Sequence, residues 1–209
     1  MNIPNTLSLA RICLVPLFVV AYFLPYYWGA IVAVCLFILA AATDFLDGYI
    51  ARKYNMVTDL GKLLDPIADK VLVCAALFCV VATNPLQYSN YTWATKFGVI
   101  FLAVGATVII SRELLISAVR QIAASKGVVV QANLYGKIKT ICQDIGLPML
   151  VFLSAASVQM YPETSSVAPL SLFWTIWWWA SVLLFAVAVA FTIVSGVIYL
   201  VQNRKVFTN

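Results

Sequence analysis

The sequence predicts an all-α, polytopic membrane protein with about six transmembrane helices and a polar cavity open to the cytoplasmic side. Three observations lead there. Of 209 residues, 64% are hydrophobic and only 10% charged, where a soluble domain carries about 25% charged residues. Apolar runs long enough to cross a bilayer recur along the chain, separated by short polar, turn-rich stretches. Four aspartates, Asp44, Asp47, Asp65 and Asp69, sit where two of these runs approach each other across a short polar turn. Carboxylates near hydrocarbon are costly, and where they occur they line a polar cavity or a functional site.

The first run, Leu7 to Tyr27, lacks a small-residue cleavage site and is long enough to span, so it reads as a helix rather than a leader. The second and third, Trp28 to Arg52 and Gly61 to Thr83, carry the aspartates near their facing ends. Asn84-Pro85 and Ser89-Asn90 break the chain before the fourth, Trp93 to Ala124. That segment is apolar to Ile110 and then continues as Ser111-Arg112-Glu113 through Ser117 to Arg120. Its length approaches about 45 Å, more than the hydrocarbon core, so its second half lies at the cytoplasmic boundary or lines a cavity. Glu113, Ser117 and Arg120 follow the spacing of one helix face. The fifth and sixth runs are Leu134 to Tyr161 and Leu172 to Val201, parted by a stretch from Pro162 to Pro169. The clusters Tyr26-Tyr27-Trp28 and Trp177-Trp178-Trp179 read as interfacial anchors. No 20- to 50-residue period repeats, so residues 1–209 read as one integral-membrane domain.

Charge orients the spans. The two loops after the third and fifth runs hold no Lys or Arg, and Lys96 is the one basic residue on that side. Arg52, Lys53, Lys62, Lys126, Lys137, Lys139, Arg204 and Lys205 fall on the other. The positive-inside rule therefore puts both termini and the aspartate-bearing turn in the cytoplasm, and the expected location is the cell (inner) membrane. A net charge of +5 suits an anionic membrane surface or anionic substrates. Basic residues scattered at helix ends do not form a nucleic-acid face, so no nucleic acid is expected as a partner. The chain has no histidine, which removes His-based triads, His-zinc sites and imidazole shuttles. Its five cysteines lie in apolar stretches without metal-ligand spacing and read as small buried hydrophobes.

The aspartate spacing carries chemistry. Asp44 and Asp47 are three apart and Asp65 and Asp69 four apart, so each pair shares a helix face. With Arg52 and Gly61 at the boundary, Asp44 and Asp69 lie about 12 Å in, and Asp47 and Asp65 about 6 to 8 Å in. An antiparallel pair of helices levels Asp44 with Asp69 and Asp47 with Asp65. Four close carboxylates repel unless cations neutralise them, and two divalent cations balance the charge. All-oxygen ligation favours Mg²⁺ or Mn²⁺ over zinc. Paired metals are a recurring device for stabilising both oxygens of an in-line phosphoryl displacement. Gly48, Ala51 and Gly61 leave one side of these helices without bulk, for close helix packing or for a flat ligand group. Arg52 either snorkels to headgroups or ligates a phosphate.

These residues resemble a known signature. Asp44-x-x-Asp47-Gly48-x-x-Ala51-Arg52, eight residues, then Gly61-x-x-x-Asp65-x-x-x-Asp69 resembles the CDP-alcohol phosphotransferase motif at all eight specified positions over 26 residues. Asn2-Ile3-Pro4-Asn5-Thr6 with Arg11, Ser111-Arg112-Glu113-Leu114 to Arg120, and Gly136-Lys137-Ile138-Lys139-Thr140 resemble the bacterial phosphatidylglycerophosphate synthase branch of that family. The resemblance implies transfer of the phosphatidyl group of CDP-diacylglycerol to sn-glycerol 3-phosphate, with release of CMP. It implies that Asp44, Asp47 and Asp65 hold two divalent cations and that Asp69 is the general base, also touching a metal. Gly48, Ala51 and Gly61 would border the cytidine, and Arg52 the diphosphate. A homodimer is implied by the resemblance alone.

An acceptor with a phosphate dianion needs a second basic cluster. Arg112, Arg120, Lys137 and Lys139 are the cytoplasmic-side candidates. Lys137 and Lys139 point to different faces of a regular helix, which leaves open which one reaches the pocket. Arg112 needs a stated partner, and a structural pair with Glu113 is the alternative to a phosphate. Asn133, Gln143 and Asp144 carry no assignment. Two other readings compete. A cation-coupled transporter would place its ionisable groups near the midplane in two symmetric halves, whereas here they crowd one interface. A cardiolipin synthase-like enzyme would share the metal motif and differ in the acceptor.

Overall fold

The computed structural model describes residues 3–24, 26–53, 59–88, 92–125, 134–160 and 172–202, with side-chain placement omitted at several of them, 44–53, 59–66 and Asp69 included. Within these, every regular element is helical: α1 (Ile3–Phe23), α2 (Tyr27–Lys53), α3 (Asp59–Thr83), a single 3₁₀ turn (Pro85–Tyr88), α4 (Thr92–Ser125), α5 (Leu134–Met160) and α6 (Leu172–Gln202). Five of the six match the apolar runs to within two residues at each end. The first is displaced: α1 begins at Ile3 and ends at Phe23 rather than running from Leu7 to Tyr27. Proline explains both ends. Pro4 falls in the first turn, where its missing N–H leaves no bond unmade, and Pro25 disfavours helical backbone in the residue before it.

Three described segments are long and apolar enough to cross a membrane: Lys96–Ala123, Leu134–Ala156 and Leu172–Gln202. Ser8–Phe23, Trp28–Thr43 and Lys70–Thr83 are shorter apolar helices. Large apolar side chains face outward along them, such as Leu17, Val20, Ile38, Leu39, Phe78, Ile100, Leu183 and Val197, while Ser8, Arg11, Lys139, Gln143, Ser154, Thr192 and Ser195 are buried. Apolar outside and polar inside is the arrangement a hydrocarbon solvent selects. The chain is a multi-pass membrane protein.

It divides into two compact units, one of Met1–Gly98 with Leu150–Pro169 and one of Val99–Met149 with Leu170–Asn209. In the first, α1 packs on both α2 and α3, and α2 also meets α3. Small residues allow the close approach: Ala30, Ala33 and Ala40 on α2 and Ala68 and Ala76 on α3 are buried. Phe18 of α1 is fully buried, its ring 6.0 Å from those of Tyr22 on the same helix and Phe37 on α2. Toward the end of α3 the Tyr22 hydroxyl meets Thr83 Oγ1 at 2.7 Å and also Ser154 Oγ, and Thr83 bonds Ser154 at 3.1 Å. The three hydroxyls satisfy one another and tie α1, α3 and the end of α5 together. Asn84 then closes α3 with a left-handed φ of 40° and a 3.1 Å bond from its N–H to Val80 O. Asparagine is among the few side chains that accept that conformation.

In the second unit α4, α5 and α6 meet through small residues. A Cβ on Gly105 would lie 2.6 Å from the Phe185 ring, and one on Gly146 would lie 2.9 Å from Leu184 Cβ. Phe185 is buried and set edge-on to Phe101 at 5.6 Å, so its ring would have to shift against packed neighbours. Gly105→Ala is therefore expected to destabilise the protein by about 1 to 3 kcal/mol through overpacking. A lowered thermal midpoint in detergent checks this, and an unchanged midpoint would show that the ring yields.

The tryptophan run departs from plain anchoring. Trp178 is buried, Trp177 Nε1 donates to Met149 O at 3.2 Å, and Trp179 faces outward. Successive residues on a helix are about 100° apart, so three in a row cannot all face lipid. The cysteines also differ from expectation. All are unbonded, but Cys79 alone is fully buried, while Cys13 and Cys35 are exposed on the apolar outer face.

Candidate active site

The motif residues divide between two helices of the first unit. Asp44, Asp47, Gly48, Ala51 and Arg52 lie along α2, and Gly61, Asp65 and Asp69 along α3. Their side chains lie outside the described residues, so the matched depths expected of the carboxylates do too. Of the two helices, each packs chiefly on α1, and they also touch one another. Immediately ahead of the motif, Arg11 of α1 is buried, and its Nε donates to Ala40 O of α2 at 3.1 Å. Thr43 Oγ1 donates to the same carbonyl at 2.7 Å. Ala40 lies one helical turn before Asp44, so a buried guanidinium fixes α1 to α2 at the entrance of the aspartate segment. A buried arginine among spans is costly and marks a functional neighbourhood. In the sequence Arg11 stood out only as part of the resemblance, with no role of its own.

The second basic cluster lies in the other unit, on α4 and α5. α4 is 34 residues long, which is about 50 Å and well beyond a hydrocarbon core of about 30 Å. Its neighbours Arg112 and Glu113 turn to different helices. Glu113 Oε1 accepts an ion-pair hydrogen bond from Lys139 Nζ and a 3.1 Å bond from Gln143 Nε2, both on α5. Arg112 Nη2 donates to Ser195 Oγ of α6 at 3.1 Å. The alternative of a structural Arg112–Glu113 pair is thus displaced by a Lys139–Glu113 pair.

The two lysines separate as their spacing requires. Lys139 is 2% exposed and committed to Glu113, while Lys137 is exposed. Gln143, a buried amide one turn beyond Lys139, carries no assignment from sequence; it completes the shell around Glu113. Arg120 is exposed, with its guanidinium 5.9 Å from the ring of the buried Tyr199. Arg112 is half-buried, and its Nε has no partner among the described residues. Beside it a cleft of about 340 Å³ lies between α4 and α6, with Val108, Leu115, Ile193, Val197 and Leu200 on its walls. Ser195 escapes a reading of the sequence in which α6 is only a span. Its signal is there nonetheless: Thr192, Ser195 and Gly196 put small and polar residues on an otherwise apolar helix.

The family model for CDP-alcohol phosphatidyltransferase matches residues 1–194. The chain belongs to that family. It is 41% identical over 162 residues to the CDP-diacylglycerol–glycerol-3-phosphate 3-phosphatidyltransferase of Bacillus subtilis (strain 168), covering 72% of this chain and 76% of the relative. The enzyme of the same name from Salmonella typhimurium is 38% identical over 153 residues, covering 72% and 77%. That from Yersinia pestis is 36% identical over 162 residues, covering 77% and 82%. The family match spans the motif helices α2 and α3 and the basic residues of α4 and α5.

Proposed function

We propose that this chain transfers the phosphatidyl group of CDP-diacylglycerol to sn-glycerol 3-phosphate, giving phosphatidylglycerophosphate and CMP. The observation that carries the reading is the eight-residue motif placed on two helices in direct contact. Relatives that bear the name of this activity extend over some three quarters of the chain. Six spans, a polar cavity opening to the cytoplasm, cytoplasmic termini and a homodimer in the cell membrane belong to the same proposal.

The donor set fits two divalent cations, Mg²⁺ or Mn²⁺: it is all carboxylate and rests on helices that pack on each other. Asp44, Asp47, Asp65 and Asp69 would hold them, and when bound they neutralise charge on the diphosphate. The chain's own residues do the rest. Arg52 binds the diphosphate, and Gly48, Ala51 and Gly61 leave room for the cytidine. Asp69 takes the proton of the acceptor hydroxyl as its oxygen attacks the β-phosphorus and the bond to CMP breaks.

The acceptor phosphate is assigned to the basic cluster of α4 and α5. Arg112 has a buried N–H without a partner among the described residues, and Lys137 and Arg120 are exposed. Lys139 already faces a carboxylate, so it contributes mainly by cancelling Glu113, which would otherwise repel the phosphate. Arg112→Ala or Arg120→Ala is expected to raise the KM for glycerol 3-phosphate far more than that for CDP-diacylglycerol. A charge-assisted contact to phosphate contributes roughly 1.5 to 3 kcal/mol, or about tenfold to over a hundredfold. Equal weakening of both substrates would make these residues structural.

The deciding experiment for the reaction is label transfer from CDP-diacylglycerol in detergent with Mg²⁺ or Mn²⁺, offered glycerol 3-phosphate or phosphatidylglycerol. Transfer to the first supports the proposal. Transfer to the second alone makes the enzyme cardiolipin synthase-like, and transfer to neither removes the enzymatic reading.

A further inference from the structure

We infer that Ser195 of α6 is a positioning residue for the acceptor phosphate, acting through the orientation of the Arg112 guanidinium. The inference rests on the assignment of Arg112 to that phosphate. Ser195 is fully buried, and its hydroxyl has a defined direction: it donates to Thr192 O at 3.2 Å and accepts from Arg112 Nη2 at 3.1 Å. Because its one hydrogen is used on the α6 backbone, only lone pairs face Arg112, which can present nothing but N–H to them. Hydrogen bonds in such a chain polarise and strengthen one another.

The backbone around Arg112 is shaped to the same end. A Cβ on Gly196 would come within 3.3 Å of Arg112 Cγ, and one on Gly136 within 3.3 Å of Arg112 Nη2. The aliphatic stem therefore runs against α6, and the planar head sits between a glycine of α5 and the Ser195 hydroxyl. An arginine left to itself samples many rotamers, and what it gains over lysine at phosphate is a fixed fork of N–H groups. Holding one Nη in place sets the plane of that fork and leaves Nε, unpartnered among the described residues, with the remaining N–H groups for an anion. Acceptor affinity is then partly a property of α6, which carries none of the metal motif.

The test is a double-mutant cycle on the full-length protein in detergent, reading KM for each substrate and kcat. Ser195→Ala is expected to raise the KM for glycerol 3-phosphate about three- to tenfold, the scale of one hydrogen bond, with kcat and the KM for CDP-diacylglycerol unchanged. In an Arg112→Ala background the same change should have no further effect, since its path to the acceptor is gone. If Arg112→Ala raises the acceptor KM but Ser195→Ala does not, the inference is overturned while the assignment of Arg112 stands. It is equally overturned if the Ser195→Ala effect persists in full in the Arg112→Ala background, or if both substrates weaken together. If Arg112→Ala itself leaves the acceptor KM unchanged, the assignment fails and the inference with it.

Discussion

Asp65→Asn is expected to remove most turnover while leaving membrane insertion intact, and EDTA to abolish the activity of the unaltered protein. Both follow from the electrostatics of the motif. Four carboxylates brought together, as the motif implies, would repel one another and repel a diphosphate. The site therefore has an attractive potential for its donor only when divalent cations occupy it. Asparagine keeps the shape of aspartate and one carbonyl oxygen but loses a full negative charge, so the cation is held less well. Insertion is insensitive to the change, because it depends on the apolar lengths of the spans and amide is no more costly in the membrane than carboxylate. The measurements are label transfer after chelation and restoration with Mg²⁺ or Mn²⁺, alongside membrane yield of the variant. Full activity without metal, or a fully active Asp65→Asn protein, would remove the two-cation reading.

Asp69→Asn separates binding from chemistry. The variant is expected to bind CDP-diacylglycerol nearly normally yet transfer its phosphatidyl group very slowly, by about 10² to 10⁴ in rate, the usual consequence of losing a general base. The amide retains a carbonyl oxygen as a cation ligand but cannot accept the proton of the attacking hydroxyl. Donor affinity and single-turnover transfer measured on the same preparation check this. If both collapse together, Asp69 acts chiefly as a metal ligand. Normal transfer would rule out its role as base.

The reaction was legible in the sequence because its signature is local. Eight residue types at fixed spacing on two successive helices need no knowledge of the rest of the chain, and fixed spacing on a helix is already geometry. The helices themselves were legible from hydropathy, apart from α1, where prolines at both ends outweighed the apolar run. The acceptor pocket was legible only as a set of basic residues. Nothing in the sequence says that Lys139 turns inward to Glu113 while Lys137 stays outside, or that Gln143 joins them. The aspartate side chains lie outside the described residues, so their mutual geometry is still an expectation, one that the Asp65 and Asp69 variants address.

What the sequence alone determined, then, was the solvent and the reaction class: a helical chain for hydrocarbon, and a motif of the family that transfers a phosphatidyl group. Both are set by residue type and by spacing within a few turns, where helix geometry is the same in every protein. The tertiary structure alone decided which partner each buried polar group found. Arg112 meets Ser195 from 83 positions away, Glu113 meets Gln143 from 30, and Tyr22 meets Ser154 from 132. Trp178 turns inward between two neighbours of the same type. Such pairings depend on how far each helix rotates about its axis and how closely small residues such as Gly105, Gly146 and Gly196 let helices approach. Those quantities come from packing the whole set of helices at once, where an unpaired polar group in hydrocarbon costs more than any local preference can offset.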